Sequence, residues 1–100
     1  MTNRATLKNV SQFIAARQDF DCNGTLTGKG GSGYITAARL PDEFSGELAE
    51  ATKAEDFYVV KSYATPIAWF ANGAWTFPDT KYSPTTSRHQ SKVRVALRIA

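Results

Sequence analysis

Residues 57–77 read "FYVVKSYATPIAWFANGAWTF". Aromatic and β-branched side chains dominate residues 57–64. Such side chains suit a pleated, half-buried surface, so this run predicts the strongest strand of the chain. Pro66 has no N–H to contribute to a ladder and is expected to break that run, after which "IAWFA" resumes as a second strand. Asn72-Gly73 then separates "IAWFA" from "AWTFP". A type I′ turn needs positive φ at both central positions, and Asn-Gly supplies this with the least strain. An antiparallel run of three strands follows from this stretch alone. Strand alternation sends Trp75 and Phe77 to one face and turns Trp69 away from Phe70. Most of Tyr58, Tyr63, Trp69, Phe70, Trp75 and Phe77 is then core material. Any left outside would mark a protein-binding patch or a platform for stacking bases.

Upstream, "TLKNVSQFIAAR" (6–17) carries Leu7, Val10, Phe13 and Ile14 at helical spacing, with Thr6 placed to cap the N-terminus. "DFDCNGTLTG" (19–28) and "YITAAR" (34–39) flank the glycine cluster "KGGSG" and predict a hairpin. Residues 41–56 are polar and acidic, with a short helix around Gly46 to Lys53. Downstream, Ser83 followed by Pro84 is an N-cap with proline at the first helical position. Thr86, His89, Gln90, Val93, Ala96, Leu97 and Ala100 then fall along one side of a helix. Arg88 and Lys92 fall on a second side, Arg94 and Arg98 on a third.

The expected fold is a single α+β domain over residues 1–100. An antiparallel sheet of about five strands carries an N-terminal and a C-terminal helix, in the order α-β-β-loop-β-β-β-α. The hydrophobic fraction of 42% and charged fraction of 21% fit a soluble globular chain. No apolar run approaches the roughly 18 residues a membrane span needs. The N-terminus has no apolar core behind its charge, unlike a secretory signal. Cys22 is the only cysteine, which excludes a disulfide framework within the chain and predicts a reducing, cytoplasmic setting.

Asp19, Asp21, Asn23 and Gly24 imitate the first half of an EF-hand loop. The twelfth position of that loop must supply a bidentate carboxylate, and here it is Gly30. A phosphate-loop reading of Gly24 to Gly28-Lys29 fails on spacing, and Gly30 replaces the residue that would hold magnesium. The stretch is therefore expected to turn a corner, and no metal or cofactor site is expected.

His89 is the one side chain able to carry a proton at neutral pH without a shifted pKa. A hydrolytic arrangement would pair it with Ser83, Thr85, Ser87 or Cys22 and an acid such as Asp79. None of these nucleophiles sits in a recognisable elbow, so no catalytic residue is expected and an enzyme using His89 is the most distant reading.

The candidate site is an anion-binding surface made by Thr85, Thr86, Ser87, Arg88, His89, Lys92, Arg94 and Arg98. Hydroxyls and free N–H groups at a helix N-terminus favour a phosphate, and the basic residues would extend contact along a nucleic-acid backbone. Capping alone also explains Ser83 and Pro84. Charge is segregated along the chain. Residues 41–80 hold seven acids against Lys53 and Lys61, a net of −5, whereas residues 81–100 hold five bases and no acid. This segregation fits either a basic binding face or an acidic segment facing a basic tail. The partner is expected to be nucleic acid or, alternatively, a host protein bound through exposed aromatics or the acidic segment.

"VVKSYATPIAWFANGAW" and "YSPTTSRHQ" together resemble a family of small uncharacterised bacteriophage proteins, notably of actinobacteriophages, with a "SYxTPIAW…YSxTTSRHQ" signature. The resemblance spans roughly residues 57–97, with looser similarity at "FIAARQDF" and "NGTLTG". It implies an accessory protein in the infected host's cytoplasm and carries no established activity.

Overall fold

A computed structural model of the chain describes residues 3–6, 8–22, 24–30, 42–63, 65–78 and 84–99. Strands β1 (Asn3–Arg4), β2 (Phe20–Cys22), β3 (Leu26–Gly30), β4 (Tyr58–Ser62), β5 (Thr65–Ala71) and β6 (Ala74–Thr76) form one sheet in sequence order. The five strands β2 to β6 are antiparallel, as expected, and the short β1 adds a parallel edge beside β2. Helices α1 (Val10–Ala15) and α3 (Pro84–Ile99) lie at the two ends of the chain, and α2 (Asp42–Ala51) occupies the acidic connection.

Alternation along the central strands builds two cores. Tyr58, Val60, Ala68 and Phe70 join Val10, Ile14, Val93 and Ala96 beneath α1 and α3. Phe57, Val59 and Trp69 point the other way and meet Leu48 and Ala51 of α2. The sheet therefore stands between the acidic helix and the basic one. Of the acidic segment, α2 at least does not face α3.

Several local expectations change. The first helix begins at Val10, because Thr6 and Asn9 form a turn ahead of it. Asn9 Oδ1 accepts from the Thr6 N–H at 2.8 Å, and the Thr6 carbonyl accepts from Val10 at 2.9 Å. Arg17 closes the helix at φ 53, with its N–H donating to Ile14 and that of Gln18 to Phe13, the paired bonds of a Schellman end. Glycine is usual there; arginine is held by its guanidinium lying 4.2 Å from the Phe70 ring centre.

The first hairpin turns earlier than "KGGSG". β2 pairs with β3 from Cys22↔Leu26, and Gly24 takes φ +72 at the corner. Residues 34–39, expected as the second arm, lie outside the described residues. Asp21 Oδ1 accepts the Gly24 N–H at 2.7 Å and Asp19 Oδ1 accepts that of Gly30 at 2.8 Å, so both carboxylates brace the backbone. The corner is a hairpin turn.

Pro66 does not break its strand. It lies inside β5, paired with Lys61 beside a register shift, and β6 reaches only Trp69 to Ala71. No ladder bond to β6 is lost where proline stands. The Asn72-Gly73 turn is as expected, with φ of 53 and 79. Asp56 caps it, its two carboxylate oxygens accepting from the Asn72 and Gly73 N–H groups at 2.7 and 2.8 Å. Those two bonds hold the Asp56 carboxyl below the usual range.

Candidate functional site

α3 begins at Pro84, the proline expected at the first helical position. Ser83 lies outside the described residues, as do the side chains of Thr85 and Thr86. Over the remaining turns the helix divides cleanly. His89, Gln90, Val93 and Ala96 are buried against the sheet. Ser87, Arg88, Arg94, Val95 and Arg98 are exposed and Lys92 is half-buried. Counting 100° per residue places all of these outward side chains on one arc, so the two basic sides foreseen from sequence merge into one face. Arg94 lies 5.4 Å from the Phe77 ring centre. Arg88 and Arg98 have no acidic partner among the described residues, and α3 itself contains no acid.

His89 does not belong to that face. It is 3% exposed, and its Nδ1 is hydrogen-bonded to Ser62 Oγ at 2.7 Å beneath the helix. A side chain so placed cannot reach a phosphate at the surface, so its expected part in anion binding is corrected. The serine that meets it is also none of the four nucleophiles foreseen. Ser87 points outward, Cys22 is buried with its thiol pushed up by burial, and Ser83 and the Thr85 side chain are not described. Asp79, the foreseen orienting acid, lies outside the described residues. Ser62 is itself 1% exposed, and no acid orients the far nitrogen of His89 among the described residues. This geometry is that of a buried polar clasp joining β4 to α3.

Burial pushes His89 below its ordinary value, because imidazolium would bury a charge and an Nε2–H with no acceptor among the described residues. The unfolded chain takes up this proton near the ordinary pKa of about 6.5, and the folded chain only at lower pH. Stability is therefore complete above that pH and declines as pH falls toward the folded value, by at most about 1.4 kcal/mol per pH unit. Urea unfolding between pH 7.5 and 5 checks this. Since His89 is the only histidine, His89→Gln should flatten the profile.

Ser62 opens a feature that strand periodicity did not disclose. Ser62 pairs with Thr65, and the β4–β5 connection passes through Tyr63, which takes φ 56. Its N–H donates to the Thr25 carbonyl at 2.7 Å, and its ring centre lies 6.1 Å from that of His89. Tyr63 is 54% exposed, whereas Tyr58, Trp69 and Phe70 are buried and Trp75 and Phe77 half-buried. The exposed aromatic cluster needed for a protein-binding patch is therefore absent among the described residues. The detectable signal was a tight loop between two strands with neither glycine nor asparagine in it.

A model of a family of unknown function, DUF8033, matches residues 1–95. The chain belongs to that family. No curated protein and no solved structure matches it. In this DUF8033 chain the two stretches "SYAT" and "RHQ" meet through the Ser62–His89 bond, although 27 residues separate the partners. No helix among the described residues is long and apolar enough to cross a membrane.

Proposed function

We propose that this chain is a small phage accessory protein, a non-enzymatic module that contacts nucleic-acid phosphates through the outward face of α3. The observation that carries the reading is the position of the sheet between the acidic α2 and the acid-free α3. Arg88 and Arg98 are thereby presented with no acidic partner among the described residues. Lys92 adds charge at the margin, and the first turn, through Thr85, Thr86 and Ser87, offers N–H groups at the positive end of the helix dipole. The phage setting and the infected host's cytoplasm come from the resemblance of "SYATPIAW" and "YSPTTSRHQ". A host-protein module is the weaker alternative, because the aromatics it would use are largely buried.

Binding carried by phosphate contacts weakens with salt, by about 0.9 in the log–log slope for each phosphate neutralised on duplex DNA. Fluorescence anisotropy with labelled DNA and RNA at several salt concentrations should give such a slope for the wild type. Arg88→Ala/Arg98→Ala should flatten it by about two. Absence of binding at low salt would sink the reading and redirect attention to a protein partner.

A further inference from the structure

Left-handed backbone is the natural place for glycine or asparagine, and the chain uses both where it turns at Gly24 and at Asn72-Gly73. At the β4–β5 connection it places Tyr63 in that conformation instead. An aromatic residue is strained there, and compensation through burial is small because the side chain is 54% exposed. The ring is nonetheless held in place. The Tyr63 N–H is fixed on the Thr25 carbonyl, and the ring rests against the buried His89, itself clasped by Ser62. Through its contact with His89, this exposed ring stands beside the N-terminal half of α3.

We infer that Tyr63 is a stacking platform for an unpaired base, and that the ligand of the α3 face is single-stranded nucleic acid. The inference rests on the phosphate-binding reading of α3 and specifies it. Duplex and single strand both offer phosphates, but only a single strand offers a free base face to an exposed ring. A rigid ring loses little conformational freedom on stacking, which is what the fixed backbone and the His89 floor provide.

The test is anisotropy with a labelled oligothymidine of about twelve nucleotides, a length within the usual single-strand site sizes, beside a duplex of equal length. Wild type should prefer the single strand. Tyr63→Gly, which suits left-handed backbone and should leave the thermal midpoint unchanged or higher, should lose about tenfold in single-strand affinity. Its duplex affinity and its salt slope should stay as in the wild type, and Tyr63→Phe should retain single-strand binding. Equal affinity for the two forms, or a Tyr63→Gly affinity within twofold of wild type, overturns the inference. In those cases a salt slope that still falls in Arg88→Ala/Arg98→Ala leaves the α3 reading standing. Binding to neither form overturns both.

Discussion

Gly28→Ala should lower stability by about 3 kcal/mol, roughly 10–20 °C in Tm for a chain of this size. Gly28 pairs with Phe20 on one side and Val60 on the other, in the middle of the sheet. A Cβ on Gly28 would collide with the Tyr58 hydroxyl and with the edge of the Phe20 ring. Neither neighbour can retreat cheaply. Both are buried, and the Tyr58 hydroxyl donates to the Gln18 carbonyl at 2.7 Å. That bond fixes the ring, and burial together with the nearby Asp19 pushes the Tyr58 phenol well above its ordinary value. The methyl group must therefore displace a buried aromatic and strain or break its hydrogen bond, effects of about 1–3 and about 1 kcal/mol. Gly46→Ala supplies the opposite sign. It is exposed on α2 with nothing near a built Cβ, so alanine should stabilise by about 0.5–1 kcal/mol through helix propensity. Tyr58→Phe should recover part of the Gly28→Ala loss, since the hydroxyl is one of the colliding atoms. Thermal melts of the four variants decide it, and a neutral Gly28→Ala would show that the Tyr58 and Phe20 rings can yield.

Trp69→Ala should cost about 3–5 kcal/mol, a third or more of the stability of an ordinary domain. Trp69 is 1% exposed and is the largest side chain of the smaller core, where it meets Leu48, Ala51, Ala54, Phe57 and Val59. That core holds α2 against β5, and Ala51, Ala54 and Val59 in it are small. Truncation leaves a void that alanine and valine neighbours cannot fill, so the loss falls first on the helix. Amide exchange should become fast over residues 44–51 while the strands keep most of their protection. Unchanged protection on α2 would mean that contacts other than Trp69 dock it. The remaining tryptophan, Trp75, packs edge-on to Tyr58 and Phe70 in the other core and should keep its fluorescence.

Where local chemistry was decisive, reading the residues was enough. Asn72-Gly73 could only be a tight turn, the alternation at Trp69 and Phe70 could only split them between faces, and Pro84 could open a helix but not sit inside one. The same logic told which side of α3 is apolar and that Asp19 to Gly30 turns a corner. It failed where two distant pieces share one constraint. Pro66 looks like a strand breaker until β6 is known to stop at Ala71. The glycine cluster at 28–33 looks like a loop until the Phe20 and Tyr58 rings are known to close over Gly28.

The candidate site divides the same way. Charge and periodicity were sufficient to nominate a basic helix and to place Arg88, Arg94 and Arg98 outside its apolar side, because those properties belong to the residues themselves. Which of the nominated groups meets solvent was decided by tertiary structure. His89 was drawn beneath the helix by a serine 27 positions earlier, and Tyr63 was turned outward by a backbone conformation that no propensity assigns to tyrosine. The placement of a six-stranded sheet between the acidic and basic helices was likewise settled only by packing. Chain order says that two helices exist, but it is the burial of Val59 and Trp69 on one face and Val60 and Phe70 on the other that decides which side of the sheet each helix covers.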